Sequence, residues 1–311
     1  MSPVVLYLCP DGGGARWAAE LERHIPGLDL RIWPAIGDPA TIEAALTWCP
    51  PRGVLARLTG LRLIHSLGAG VDDLLADPQL PQGVPIVRLV DPAMTAAMSE
   101  YVELQVLRLH RHDLDYREQQ QAQIWRERSQ PNAGERRVGI LGLGALGSEA
   151  ALRLKVLGFD VAGWSRSERK LRGIPCFHGP EGLAALAARS GILVCLLPLT
   201  KATLSILNAR LFAALPKGAA VVNCARGAHL VEADLLAALQ EGQLSAAVLD
   251  VFGEEPLPPQ HPFWRHPRIV MTPHVAAATN PQTAAPIVAE ALRRLAEGKP
   301  LRNLVDLGRQ Y

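Results

Sequence analysis

The stretch Val138-Gly139-Ile140-Leu141-Gly142-Leu143-Gly144-Ala145-Leu146-Gly147 constrains the fold more than any other part of this chain. An apolar run of strand length meets a G-x-G-x-x-G loop, and a helix-like run follows over residues 148–157. In such a loop Gly142 makes the tight turn, Gly144 lets the backbone approach a pyrophosphate, and Gly147 lets the helix pack close to the strand. The helix N-terminus adds N–H groups and the positive end of a dipole for the phosphates. Glycine-rich turns are common, so the weight comes from the surroundings. The loop follows a strand, precedes a helix and is followed at βαβ spacing by a second strand over 160–164. Together these features read as a dinucleotide-binding unit.

The end of that second strand selects the dinucleotide. NAD sites usually place an Asp or Glu there to bond the ribose 2′-hydroxyl. This chain reads Gly163-Trp164-Ser165-Arg166-Ser167 instead. An acid would repel a 2′-phosphate, whereas Arg166 with the hydroxyls of Ser165 and Ser167 can bind one. The expected cofactor is NADPH, with use of NADH left open. A solvated Arg166, or one stacked on adenine, is the competing reading.

The 311 residues suffice for about two domains and a sizeable core. A net charge of +2 gives no electrostatic reason to expect nucleic-acid or membrane binding. The five cysteines (Cys9, Cys49, Cys176, Cys195, Cys224) are scattered and form no C-x-x-C pair. They read as free buried thiols in a reducing compartment, not as a disulfide frame or metal site. Residues 1–10 lack a basic stretch before their apolar run and read as a first strand, not a signal peptide. No apolar run approaches the roughly 20 residues of a membrane span. A cytoplasmic protein is expected.

Residues 3–92 alternate short apolar runs with amphipathic ones: strands over 4–9, 28–33, 45–48, 62–66 and 85–89, helices over 15–25 and 40–44. This predicts a smaller α/β unit of parallel-sheet type. Asp11-Gly12-Gly13-Gly14 lacks the spacing and lysine of a P-loop and reads as a turn, and His24 and His65 read as structural. The glycines of Ser66-Leu67-Gly68-Ala69-Gly70-Val71-Asp72 fit an anion-binding nest or a tight strand-to-helix turn equally well. Residues 95–123 read as one long helix that carries the chain into the next lobe, and 131–134 as a turn-rich linker. Beyond the glycine loop the alternation resumes, with helices over 182–189, 208–215 and 232–240 and strands over 192–197, 219–224, 246–252 and 269–272. A helix over 282–297 ends at Gly298 and Pro300. Such alternation predicts a doubly wound sheet with ligands over the carboxyl ends of its strands.

Three polar residues fall just past strand ends in this second lobe. Arg226 ends Val221-Val222-Asn223-Cys224-Ala225-Arg226, Glu255 follows Leu249-Asp250-Val251-Phe252-Gly253-Glu254, and His274 sits in Met271-Thr272-Pro273-His274. Hydride transfer to a ketone needs a proton for the developing alkoxide and a cation for the substrate's carboxylate and carbonyl oxygens. His274 can supply the proton, and an ionised Glu255 would orient the ring and favour its charged form. Arg226 offers the planar fork that lysine lacks. Each has an ordinary alternative: a turn histidine, a solvated glutamate, a helix-capping arginine.

These motifs, in this order, resemble the D-isomer-specific 2-hydroxyacid dehydrogenases. Trp48-Cys49-Pro50-Pro51, Leu67-Gly68-Ala69-Gly70-Val71-Asp72, Trp164-Ser165-Arg166-Ser167 and Trp264-Arg265-His266-Pro267 resemble the glyoxylate/hydroxypyruvate reductase A branch in particular. The resemblance covers nearly the whole chain. It implies two Rossmann/flavodoxin-like α/β lobes with doubly wound parallel sheets. A cofactor lobe (96–279) is inserted into a smaller, flavodoxin-like substrate lobe (1–95 plus 280–311), and the lobes close over the substrate. It also implies a homodimer built largely through the cofactor lobe.

Carried over by position, Arg226 binds the 2-oxo acid, His274 is the acid/base and Glu255 its partner. The Ala69 and Gly70 amides hold the substrate carboxylate, and Trp48 lines the pocket or sits in the core. Gly142, Gly144, Ala145, Leu146 and Gly147 take the cofactor phosphates, with Thr203 nearby. Trp164, Ser165, Arg166 and Ser167 take its adenosine end, Leu197 and Pro198 pack under the cofactor, Cys224 and Ala225 also bind it, and Asp250 lies near the nicotinamide amide. Much of the wider family has glycine two residues after the histidine; here Ala276 stands there, as fits the reductase A branch. The expected activity is NADPH-dependent reduction of glyoxylate to glycolate and of hydroxypyruvate to D-glycerate. The alternatives are reduction of another 2-oxo acid, such as pyruvate or phenylpyruvate, and dinucleotide sensing without catalysis, as in corepressor relatives.

Overall fold

The structure, a computed structural model, describes residues 3–311. Met1 and Ser2, part of the N-terminal stretch read above as a strand, lie outside the described residues. The chain divides into two compact units, one of Met1–Met94 with Thr279–Tyr311, the other of Thr95–Ala278. The second interrupts the first in the chain.

In the first unit the order is β1 (Val4–Leu8), α1 (Gly14–Glu22), β2 (Leu30–Ile32), β3 (Ile42–Thr47), β4 (Leu63–Ser66), α2 (Asp72–Leu75) and β5 (Ile86–Val87). The strands form one parallel sheet in the order β2-β1-β3-β4-β5, the flavodoxin-like winding. β1 and β3 are almost wholly buried, so they read as continuous apolar runs and not as alternating ones. Residues 40–44, expected as a helix, instead split into a 3-10 turn Pro39–Thr41 capped by Asp38 and the first residues of β3. Their apolar spacing suits either element, and pairing with β1 decides it.

The helix α3 (Pro92–His110) crosses the boundary between the units in the chain. The second unit continues with α4 (Asp113–Gln121), β6 (Arg137–Leu141), α5 (Ala145–Val156), β7 (Asp160–Ser165), β8 (Cys176–His178), α6 (Gly179–Arg189) and β9 (Ile192–Cys195). It ends with α7 (Ala209–Ala214), β10 (Ala219–Asn223), α8 (Glu232–Gln240), β11 (Leu244–Leu249) and β12 (Ile269–Met271). These seven strands lie in the order β12-β11-β10-β9-β6-β7-β8, all parallel, so that winding reverses between β6 and β9. That is the Rossmann order, and its ligand crevice lies at the carboxyl ends of the two strands where the order reverses. Both faces of the sheet are covered. Along β9, Leu193 and Cys195 join one apolar cluster, and Ile192 and Val194 the other.

The single helix expected over 95–123 is two. It breaks at Arg111-His112, where His112 takes the left-handed conformation (φ 59°) and starts α4. No glycine or proline marks the break. Instead the Arg108 guanidinium donates to Asp113, while Asp115 pairs with His112 and with Arg268 from beyond β11, fixing α4 by ion pairs. The final helix α9 (Pro281–Ala296) belongs to the first unit. Asn280 caps it, Pro281 opens it, and Ala284, Ala285, Val288, Leu292 and Leu295 form its buried stripe.

Candidate active site

The glycine loop sits at the reversal between β6 and β9. Gly142 has φ 101°, a conformation that L side chains rarely adopt, and its amide donates to Trp164. A Cβ at Gly147 would collide with the Gly142 carbonyl, so α5 could not start this close to the turn with any other residue. A Cβ at Gly144 would meet nothing within 4 Å: the space it faces is open. The first turn of α5, beginning at Ala145 and Leu146, carries no acidic residue. Open space, a helix N-terminus and no opposing charge together fit a dinucleotide pyrophosphate.

At the end of β7, Arg166 and Ser167 are exposed. Ser165 is buried and its hydroxyl donates to the Ser167 carbonyl (2.8 Å), so it shapes this turn from within. Trp164 points inward: its ring lies in the core and its indole N–H donates to Gly179 (2.8 Å). What Trp164 offers a ligand is therefore its backbone. Thr203 is likewise turned into its own loop, donating to the Pro198 carbonyl (2.7 Å). Leu197, Cys224 and Ala225 are buried just past the ends of β9 and β10.

On the β9 side of the reversal, past the carboxyl ends of β10, β11 and β12, stand the three polar residues. The His274 Nδ1 lies 2.7 Å from Glu255 Oε2. A carboxylate only accepts, so Nδ1 carries a proton in this pair, and Nε2 is the nitrogen on the other side of the ring. The Phe252 amide donates to Glu255 Oε1 at 2.9 Å. Partial burial pushes the Glu255 carboxyl up, but the bonds from His274 and Phe252 and the nearby Arg226 charge outweigh it and hold the group below its ordinary range. The Arg226 guanidinium donates to the Ala225 carbonyl at 2.8 Å.

Two residues outside the sequence-based set hold these groups. His229 is fully buried, with Nδ1 3.2 Å from both the amide nitrogen and the carbonyl oxygen of Arg226 and Nε2 3.3 Å from the Pro198 carbonyl. The neutral ring protonated on Nε2 serves the Arg226 amide and Pro198 at once, tying the turn of Arg226 to the loop after β9. Thr272 donates to Asp250 Oδ1 at 2.6 Å. A buried histidine three residues past an arginine and a threonine inside Thr-Pro-His are signals only once their partners are known.

In the first unit the Trp48 ring lies hard against Gly68, and the Ser66 hydroxyl lies within bonding distance of the Gly68 and Gly70 carbonyls, 3.2 and 3.0 Å away. Ala69 and Gly70 are partly exposed. His65 is fully buried, and desolvation lowers its pKa to about 4, as for a structural histidine. The expectation of five buried thiols is corrected. Cys9, Cys195 and Cys224 are buried, but Cys49 is exposed and Cys176 half-buried. Cys49 lies outside β3, where a left-handed turn (φ 47°) and Pro50 carry the chain outward. Among the described residues there is no helix long and apolar enough to cross a membrane, and no cluster of three metal-ligating side chains.

A nucleotide-type sheet with a histidine–glutamate pair and an arginine at its carboxyl edge defines a dehydrogenase architecture. The family model of the D-isomer specific 2-hydroxyacid dehydrogenase NAD-binding domain matches residues 104–276, more than half of the chain. The protein belongs to the D-isomer specific 2-hydroxyacid dehydrogenases. It is 41% identical to a glyoxylate/hydroxypyruvate reductase A of Yersinia enterocolitica, covering 99% of each chain. It is 43% identical to the protein of that name from Serratia proteamaculans, covering 97% of this chain and 98% of the relative. A D-isomer specific 2-hydroxyacid dehydrogenase of Xanthobacter autotrophicus, solved with NADPH and MES, superposes with a TM-score of 0.95 at 43% identity over 100% of both chains. An NADPH-dependent glyoxylate/hydroxypyruvate reductase of Sinorhizobium meliloti, solved with NADP and sulfate, gives 0.94 at 38% identity, again over 100% of both.

Proposed function

We propose that this chain is an NADPH-preferring reductase of small 2-oxo acids, reducing glyoxylate to glycolate and hydroxypyruvate to D-glycerate. The observation that carries this reading is the 2.7 Å His274–Glu255 pair on the same sheet edge as Arg226 and the glycine loop. The full-length likeness to reductases of that name supports the substrate class.

The unit of Thr95–Ala278 is assigned to the cofactor and the remainder to the substrate. Gly142, Gly144, Ala145, Leu146 and Gly147 would hold the pyrophosphate. Arg166 and Ser167 would hold the 2′-phosphate, with Trp164 and Ser165 supporting them from the strand end. Leu197, Pro198, Thr203, Cys224, Ala225 and Asp250 would frame the nicotinamide half. Bound NADPH supplies the hydride for the keto carbon.

The chain's own residues do the rest. The Arg226 fork binds the substrate's carboxylate and carbonyl oxygens and stabilises the charge that grows on the latter. In its doubly protonated form His274 gives the Nε2 proton to that oxygen and is left neutral, while Glu255 holds the ring by Nδ1–H and balances the charge of the imidazolium. The Ala69 and Gly70 amides and Trp48 are assigned to the substrate from the family resemblance. A cytoplasmic homodimer is also proposed, supported by Leu104, Ile124 and Trp125, which expose apolar surface on the second unit.

The test is kinetic. His274→Asn and Arg226→Ala should each lower kcat/KM for glyoxylate and hydroxypyruvate by about 100-fold or more, with NADPH binding retained. Near-wild-type turnover in both variants would overturn the reading.

A further inference from the structure

His274 occupies a backbone conformation that a side chain other than glycine seldom adopts, φ 54°. Something must hold it there, because such a residue costs about 1–3 kcal/mol unless its surroundings fix it. Asp250 receives the three consecutive amides of the turn. Its carbonyl accepts from His274 (2.8 Å), its Oδ1 from Val275 (2.9 Å) and its Oδ2 from Ala276 (2.9 Å). Asp250 is 1% exposed, so these bonds are shielded from water.

That carboxylate is itself steered. Thr272 Oγ1 lies 2.6 Å from Asp250 Oδ1 and 2.6 Å from the Tyr101 hydroxyl. A threonine hydroxyl has one proton, and the carboxylate can only accept it. The Tyr101 O–H must therefore donate to Thr272, and Thr272 to Asp250. Both bonds have the short length of strong O–H···O contacts. Tyr101 lies on α3, whose Met98, Val102 and Val106 share an apolar cluster with Ala276. The turn is thus held at one end by the Ala276 methyl in the core and at the other by a one-way chain of hydroxyls. Burial raises the Tyr101 pKa, which keeps the phenol protonated as a donor.

We infer that Tyr101, acting through Thr272 and Asp250, is a positioning residue that sets the seat of His274 against Glu255. The inference deepens the proposed function and rests on it. Tyr101→Phe keeps the ring and removes only the donor; Thr272→Val removes the hydroxyl while keeping its shape, and Thr272→Ser restores it. In the purified full-length protein with NADPH and glyoxylate, Tyr101→Phe should lower kcat by about 3- to 10-fold, with NADPH affinity within about twofold of wild type. Thr272→Val should lower kcat further, and Thr272→Ser should recover most of that loss. Because the two hydroxyls act in series, Tyr101→Phe combined with Thr272→Val should match Thr272→Val alone.

The pH profile separates seating from mere stability. The groups facing Glu255 are His274 and Arg226, and a poorly seated His274 withdraws the larger stabilisation of its carboxylate. The acid limb of kcat should then move to higher pH in Tyr101→Phe. An unchanged kcat and acid limb in Tyr101→Phe, in an active wild-type background, would overturn the inference and leave the proposed function standing. So would losses that multiply in the double variant. A wild-type protein inactive toward every 2-oxo acid would instead overturn the proposed function and this inference together.

Discussion

Two turns of the same unit follow strands of one sheet and are built in opposite ways. The turn after β12, residues 273–276, gives three consecutive amides to a buried aspartate and sinks Ala276 into the core. The turn after β7, residues 165–167, is tied by the Ser165 hydroxyl and presents Arg166 and Ser167 to solvent. The contrast follows from their assigned tasks. Proton delivery fails if the ring nitrogen is misplaced by about 1 Å, so its turn is over-determined. Recognising a 2′-phosphate needs a positive charge within reach, which an exposed side chain at a strand end can supply. Changes to the first turn should therefore damage chemistry and stability, and changes to the second should alter cofactor choice.

The largest effect is expected at Asp250. Asp250→Ala leaves the Val275 and Ala276 amides and the Thr272 hydroxyl without their acceptor. Unfolding in urea should show a loss of about 2–4 kcal/mol, and kcat should fall by about 100-fold or more. A stable, active Asp250→Ala would erase the difference between the two turns. Next comes Arg166→Ala, which should raise KM for NADPH about 10-fold while kcat and KM for NADH stay within about twofold. An equal loss with both dinucleotides would assign Arg166 to the adenine or to folding.

The smallest effect is the pH dependence set by Glu255. Its carboxyl lies below the ordinary range in the folded protein, so its contribution is complete above the unfolded value and is lost as pH falls through the lowered folded value. The stability gap between wild type and Glu255→Gln should be flat near neutrality and close only at acid pH, as followed by thermal melts. A gap that widens on acidification would reverse the sign and break the assignment of Glu255 as an ionised partner.

Much of this was legible because it is local. The glycine loop announces its turn, its open gap and its helix within ten residues, and βα alternation then dictates a doubly wound sheet. Arg226, Glu255 and His274 stood out because each follows a strand end. What escaped depends on contacts distant in sequence. Tyr101 meets Thr272 across 171 residues, and His229 meets Pro198 across 31. The α3–α4 break is made by ion pairs to Arg268 and not by a helix breaker. The strand β8, Cys176–His178, is too short for its pattern to show, and only pairing with β7 defines it. Trp164 was placed on the right strand, but the direction of its ring is set by the Gly179 carbonyl beneath it.

A partly exposed, aspartate-held His274 is proposed to protonate small 2-oxo acids as they are reduced by a dinucleotide that the exposed Arg166 selects. Steady-state turnover of the purified protein on glyoxylate, hydroxypyruvate, pyruvate and phenylpyruvate, each with NADPH and with NADH, tests this role most directly. Glyoxylate or hydroxypyruvate should be the best substrate, with a clear preference for NADPH. Absence of turnover with every 2-oxo acid, from protein that still binds NADPH, would contradict this role and leave dinucleotide sensing as the function of this fold.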